Sequence, residues 1–278
     1  PGAGGSSNCG AASGASHGGL GGGSPLRDVY DDPENPVLPG SGGGGVPCNV
    51  SYPGPGGGVL LIRCSQGAQI DGVVDASGAN AYDGSAGGAS GGSIQLSTPI
   101  LTGSGRVSAS GGSGVGGRFG VGGGGGGGRI KYSFCDSGSF AGTFRVDGGG
   151  SPGPDLGQPG TFFAQSQNFT VTDQPSPASC SVQGHLVVMS VTTTGWTQLT
   201  YQWAREGVPL ADGDNVSGAQ GPVLTLNPAR LESAGSYTCT ISSGLCEYTT
   251  SPSVLTVVSS PADFNGDGFL DFFDYDDY

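Results

Sequence analysis

Gly58-Val59-Leu60-Leu61-Ile62-Arg63-Cys64, Ser93-Ile94-Gln95-Leu96 and Arg129-Ile130-Lys131-Tyr132-Ser133-Phe134-Cys135 open three copies of one Gly-rich block at a period near 35 residues. Each is followed by a second run framed by glycine: Gly72-Val-Val-Asp-Ala-Ser-Gly78, Gly105-Arg-Val-Ser-Ala-Ser-Gly111 and Gly142-Thr-Phe-Arg-Val-Asp-Gly148. The spacing between the framing glycines is the same in all three. A fixed period of this length marks a stacked, solenoid-like architecture. Val74/Ala76, Val107/Ala109 and Phe144/Val146 repeat with a period of two, which points them the same way into a core. Stacked in register, they form inward columns about 4.8 Å apart per layer. A parallel β-solenoid accounts for this pattern, as does a small β-sheet with long Gly loops.

The chain has 278 residues, enough for two or three small domains. Fifty of its 60 glycines precede residue 161, so the composition changes there and marks a boundary. The expected domains are a Gly-rich β-repeat (1–165), a sandwich (166–259) and a short tail (260–278). With 11% charged residues, the first part must present Ser, Thr, Asn and bare backbone to water. The net charge of −13, with Lys131 the one lysine, argues against a nucleic-acid partner and against an anionic membrane surface. No apolar run reaches 18 residues, so no transmembrane helix and no membrane insertion are expected. The sequence starts at Pro1 without a Met, which reads as a processed product or a fragment.

Seven cysteines suit an oxidising compartment, and the odd count leaves one thiol free or paired between chains. Two histidines and the lack of a Cys-x-x-Cys pair offer no zinc spacing. Cys64 and Cys135 fall at the same offset in copies one and three. Two layers separate them, roughly 9–10 Å, whereas a disulfide needs Cα atoms within about 7 Å. They should not pair with each other; Cys48 is the nearer candidate for Cys64, and Cys9 for Cys135. The glycine runs, such as Gly122–Gly128, have two readings. One is a flexible linker. The other is ordered, extended glycine strands packed side by side, whose backbones approach closely for want of a Cβ. Ordering glycine is entropically expensive, so the second reading requires close neighbours.

Ser16-His17-Gly18-Gly19-Leu20-Gly21-Gly22, then Tyr30-Asp31-Asp32-Pro33 and Pro39-Gly40-Ser41-Gly42-Gly43-Gly44-Gly45, lead into the repeats, which end at Gly157-Gln158-Pro159-Gly160-Thr161-Phe162-Phe163. Residues 14–163 thereby resemble the Gly-rich repeat region of very large secreted bacterial surface proteins. The resemblance implies a cell-surface or extracellular role and brings no catalytic residue. His17 is read as a backbone-supporting surface histidine rather than a ligand.

Residues 166–258 read as short strands with turns between them: Leu186–Val191, Leu199–Trp203, Val223–Leu226, Tyr237–Ile241 and Val254–Val258. Trp203 and Tyr237-Thr-Cys239 are the hallmarks of an immunoglobulin-like sandwich, a buried Trp and a tyrosine corner. Leu231-Glu-Ser-Ala-Gly-Ser-Tyr-Thr-Cys239 resembles the I-set type. The partner cysteine is missing, since Ser190 and Val191 stand where strand B should carry it. The resemblance to secreted bacterial relatives implies instead a Cys180–Cys246 pair, with Cys239 a buried free thiol or the replacement for Cys246. Trp196 falls in the B–C loop, read as an ordinary half-buried Trp rather than a glycan contact.

Asp263-Phe-Asn265-Gly-Asp267-Gly268-Phe269-Leu-Asp271-Phe-Phe-Asp274 matches the twelve-residue calcium loop. Oxygen side chains fall at positions one, three, five, nine and twelve, Gly268 allows the sharp turn, and Phe269 offers its carbonyl at position seven. The expected metal ligands are therefore Asp263, Asn265, Asp267, Phe269, Asp271 and Asp274, and the expected cofactor is Ca2+. The loop resembles dockerin-type loops, which carry Asp at position twelve. A dockerin implies two loops and a cohesin partner; one loop is present here, so a complete dockerin is not expected. A solvated acidic tail is the competing reading.

The fold class expected is all-β: a Gly-rich parallel β-solenoid-like domain, an Ig-like sandwich and a short calcium-loop tail. Function follows in three readings. The first is a secreted structural protein that self-associates into a filament, matrix or cell-surface layer. The second is an adhesin or a module for extracellular polysaccharide. The third is a β-helix polysaccharide-cleaving enzyme, for which Asp75, Ser108 and Arg145 share one column and Ser77, Ser110 and Asp147 another. A solvent-facing ladder explains those columns better, so catalytic residues are expected to be none.

Overall fold

The computed structural model describes residues 10–23, 28–47, 50–136 and 138–259. The chain divides into two compact units, Pro1–Ser166 and Gln167–Tyr278.

In the first unit, β1 (Val59–Arg63), β2 (Ala68–Gln69) and β3 (Val73–Asp75) make one coil. Strands β4 (Ser93–Ser97), β5 (Leu101–Thr102) and β6 (Arg106–Ser108) make the next, followed by a Gly hairpin, β7 (Gly116–Gly117) and β8 (Gly120–Val121). Strands β9 (Arg129–Phe134) and β10 (Thr143–Arg145) form the third coil, and β11 (Thr161–Ser166) opens a fourth. One parallel sheet runs β1-β4-β9-β11 and a second runs β3-β6-β10, while β2 pairs with β5. This is the solenoid-like stack that the repeat demands. Val73, Arg106 and Thr143 are opposite one another, so the three glycine-framed runs lie in step. Ala76, Ile94, Val107, Ala109 and Ile130 form the buried core, with Val74, Phe144 and Val146 packed against it.

In the first wall, Val59 lies opposite Ser93 and Arg129. Cys64 is therefore level with Phe134, one residue short of Cys135, rather than level with Cys135. The fourth rung, β11, was hidden because only Phe162-Phe163 signals it in sequence.

The glycine runs are packed strands, not linkers. Gly122, Gly125 and Gly128 donate to the carbonyls of Val115, Gly112 and Ala109. Gly123 and Gly126 donate to Ala12 and Ala15, and Gly124 and Gly127 to Asp155 and Gln158. Three neighbours are thus visited in strict rotation, one every third residue. That is the three-residue turn of a polyproline II helix, which makes no internal hydrogen bonds and so offers every N–H to a neighbour. Three other segments donate in return: Gly88 and Gly91 to the carbonyls of Gly123 and Gly126, Gly22 and Gly19 to those of Gly124 and Gly127, and Gly149 to that of Gly125. Glycine is compulsory at this axis. A Cβ on any residue from Gly122 to Gly128 would lie 1.9–2.1 Å from a neighbouring carbonyl oxygen.

The second unit contains β12 (Phe169–Asp173), β13 (Ala178–Val182), β14 (Val187–Ser190), β15 (Thr192–Gly195), β16 (Thr200–Arg205), β17 (Val208–Pro209), β18 (Val216–Ser217) and β19 (Val223–Leu226). A 3₁₀ turn (Leu231–Ser233), β20 (Gly235–Ser242), β21 (Glu247–Thr249) and β22 (Ser253–Val258) complete it. Two main sheets, β13-β22-β20-β16-β17 and β14-β19-β18, enclose a core of Met189, Val191, Trp203, Leu224, Tyr237, Cys239 and Leu255. Trp203 is fully buried opposite Cys239, and its indole N–H donates to the Gly221 carbonyl at 2.9 Å. The Tyr237 hydroxyl donates to the Ser233 carbonyl at 2.6 Å, which is the tyrosine corner. The unit is an Ig-like sandwich. Met189 and Val191 supply strand B's buried side chains, so apolar packing occupies the place of a cross-sheet disulfide.

Candidate functional site

The expected cysteine pairings need correction. Cys64 and Cys180 carry free thiols, so neither Cys48–Cys64 nor Cys180–Cys246 forms. Cys180 lies opposite Thr256, at the β20 end where Gly235 pairs with Leu255, while Cys246 follows the other end of β20. Eight strand residues, roughly 27 Å, separate those ends. Cys135 and Cys246 are each disulfide-bonded. Cys9 and Cys48 lie outside the described residues. Cys239 is a buried free thiol, and burial pushes its pKa up to about 11.

The calcium-loop residues Asp263, Asn265, Asp267, Phe269, Asp271 and Asp274 also lie outside the described residues. Among the described residues, no group of three His, Cys, Asp or Glu side chains gathers as a metal site.

His17 is fully buried rather than at the surface. Its Nδ1 lies 2.7 Å from the Gly91 carbonyl and its Nε2 3.3 Å from Asp31 Oδ2. Burial lowers its pKa, opposed by the hydrogen bonds to Gly91 and Asp31. Nδ1 donates to the Gly91 carbonyl, so Nε2 donates to the Asp31 carboxylate only while the ring is protonated. Asp31 holds a left-handed backbone (φ 73°) and accepts the N–H groups of Val37 and Leu38 and the Ser93 hydroxyl. Burial alone would raise the Asp31 pKa, but the Leu38, Val37 and Asp32 amides and His17 bring it below the ordinary carboxylate value. Arg129, also buried, donates to the Tyr30 carbonyl through Nε and Nη2 and to Thr161 through Nη1. These groups clasp the 30–38 loop to the solenoid wall. The imidazole does not approach the Ser93 hydroxyl; the carboxylate lies between them, which is not the order of a nucleophilic triad.

The two columns are present as expected: Asp75, Ser108 and Arg145 lie in one register. Their hydroxyls knit the columns together, with Ser77 Oγ 2.8 Å from Ser108 Oγ, and Ser110 N donating to Ser77 Oγ. Arg145 approaches Asp147 at 3.6 Å with both side chains more than half exposed. Beside them lies an open, shallow cavity of about 350 Å³ lined by Asp71, Val73, Ser104, Arg106, Thr143 and Arg145. Trp196 is half-buried, and its indole N–H has no partner among the described residues.

Sequence reasoning missed a further candidate surface, the two ends of the stack. At the β1 end, Leu60, Ile62, Ile70 and Val74 point into the core but stay partly exposed, because among the described residues no rung covers them. At the other end Phe162, in the buried Ile130 column, is 42% exposed, and Ala164 is exposed too. Phe162 stacks on Phe144 at 4.6 Å, and Phe144 contacts Phe140 at 5.4 Å. The only sequence signal was that the core columns have no capping repeat.

No family model matches the chain. A 105-residue stretch is 31% identical to dog (Canis lupus familiaris) vascular cell adhesion protein 1, covering 37% of this chain and 14% of that protein. The chain thus spans about a seventh of that relative. Similar solved structures are a chain of a mutant titin M10–obscurin-like 1 Ig complex (25% identity, 34% of this chain, 96% of that one, TM-score 0.30) and Drosophila OTK extracellular domains 3–5 (18%, 39%, 38%, TM-score 0.34).

Proposed function

We propose that this chain is an extracellular, non-enzymatic structural protein, a rigid Gly-rich stack carrying an Ig-like module, which works by assembling into a filament, matrix or cell-surface layer. The observation that carries this reading is the Gly122–Gly128 axis, where every residue is committed to backbone packing and none to chemistry. The resemblance of residues 14–163 to bacterial surface proteins supports it. So does the likeness of the Ig-like unit to part of a cell adhesion protein. Ca2+ held by Asp263, Asn265, Asp267, the Phe269 carbonyl, Asp271 and Asp274 belongs to the same reading.

Electron microscopy of the purified chain in millimolar calcium, repeated with chelator, tests it. Ordered assemblies that weaken on chelation are expected; a monodisperse monomer under both conditions contradicts it. Calorimetry should show calcium binding at about 10⁻⁴–10⁻³ M, lost in Asp263→Ala. A second reading, an adhesin for anionic polysaccharide, is favoured by Arg106 and Arg145 beside the open cavity. It predicts retention on immobilised polyuronate, lost in Arg106→Ser with Arg145→Ser.

A further inference from the structure

We propose that copies of this chain join head to tail through the ends of the solenoid, β1 of one copy adding in parallel to β11 of the next. The proposal deepens the assembly reading above and rests on it.

Three observations select a second copy as the occupant. First, among the described residues β1 and β11 are the terminal strands of one parallel sheet, so their outer edges face opposite ways along the stack. A translated copy continues the sheet in the direction its own rungs already follow. Second, the hydrogen-bonding parities match. Ser93 N donates to Gly58 O, and Cys64 N donates to Ser97 O. Even-numbered residues of β1 therefore face β4, and Val59, Leu61 and Arg63 turn their peptide groups to the open edge. Thr161 N donates to Gly128 O, so Phe162 and Ala164 turn theirs to the opposite edge. With Phe162 placed over Leu60, its N–H meets the Val59 carbonyl and its carbonyl meets the Leu61 N–H. Ala164 meets Leu61 and Arg63 in the same way. Third, that register is the one the sheet already uses. Leu60, Ile94, Ile130 and Phe162 form one inward column, and Ile62, Leu96, Tyr132 and Ala164 another. Sliding by one residue would turn the apolar column to solvent.

The second wall stops one rung earlier, at β10. The rings of Phe140, Phe144 and Phe162 occupy that step and present an aromatic floor to the partly exposed Ile70 and Val74 of the added copy. A heterologous contact of this kind does not close on itself, so it yields a filament rather than a dimer.

Two edge prolines test this. Leu61→Pro and Ala164→Pro each remove an N–H that faces an open edge and none that pairs inside the sheet, which edge strands tolerate. Sedimentation velocity is run on the full chain and on each variant, with circular dichroism melts to confirm folding. The wild type is expected to form a concentration-dependent series. Each variant alone should be monomeric, with apparent affinity reduced at least tenfold. An equimolar mixture should give a dimer and nothing larger, because each variant keeps the end the other lacks. Wild-type assembly that persists in either folded variant overturns end-to-end addition but leaves the structural reading standing. Head-to-head pairing would leave Ala164→Pro dimeric on its own. A monomeric wild type at every concentration overturns both. If a variant melts early, Leu61→Lys and Phe162→Asp block the same ends through exposed side chains.

Discussion

Gly125 shows how one missing carbon organises the first unit. A Cβ there would lie 1.9 Å from the Ala89 carbonyl oxygen, a backbone atom with no room to yield. Gly125→Ala should cost about 3 kcal/mol or more, at the upper end of overpacking, read as a lowered thermal midpoint. Gly58→Ala is the control: nothing lies within 4 Å of its Cβ position, so a change within about 0.5 kcal/mol is expected. His17 and Asp31 tie the same unit to pH. His17 has a folded pKa below its 6.5 reference, and Asp31 one below 3.8. In both cases the unfolded chain takes up the proton first, so stability is fully present above the reference pKa and falls with pH. Denaturant midpoints should decline from about pH 6.5 downward, and His17→Gln should flatten the upper part of that slope. Thiols give a third check. Cys180 is exposed and Cys239 buried with its pKa near 11, so at pH 8 a disulfide reagent should label Cys180 in the native protein and Cys239 only after unfolding.

Strands were legible where a side-chain pattern wrote them. Period-two alternation within the glycine frames located β3, β6 and β10 and their register, because one face of each meets the core. In the sandwich, the Trp203 and Tyr237 signals located β16 and β20. Tyr237→Phe should destabilise the Ig-like unit by about 1–2 kcal/mol, since it leaves the Ser233 carbonyl without its donor; a chemical melt followed by Trp203 fluorescence measures it. Signals failed where pattern was absent. The first wall was read one residue out of register, because Gly58 and Arg129 are equivalent by spacing but not by hydrogen bonding. The Cys48–Cys64 and Cys180–Cys246 pairings failed because Cys64 and Cys180 carry free thiols; the resemblance that implied the second pair does not say that the two residues sit at opposite ends of β20. His17, read as a surface histidine, is buried because the neighbouring glycines lack side chains and let other backbones close over it.

At the scale of the whole molecule, glycine content is ambiguous until its neighbours are known. The same seven residues are a loose tether alone and an axis when six segments surround them. Which occurs depends on contacts distant in sequence, such as Gly126 with Ala15 or Gly127 with Gln158, that no local pattern encodes. The proposed function depends on this order: a stack that presents two open ends can add copies only if its interior holds those ends in fixed register. Amide hydrogen exchange of Gly123–Gly127, resolved by NMR, tests this most directly. These amides are hydrogen-bonded and buried inside the bundle, so they should rank among the slowest in the first unit, with protection approaching global stability. Exchange of these glycines at the rate of an unstructured peptide would show the run to be a linker and contradict the account.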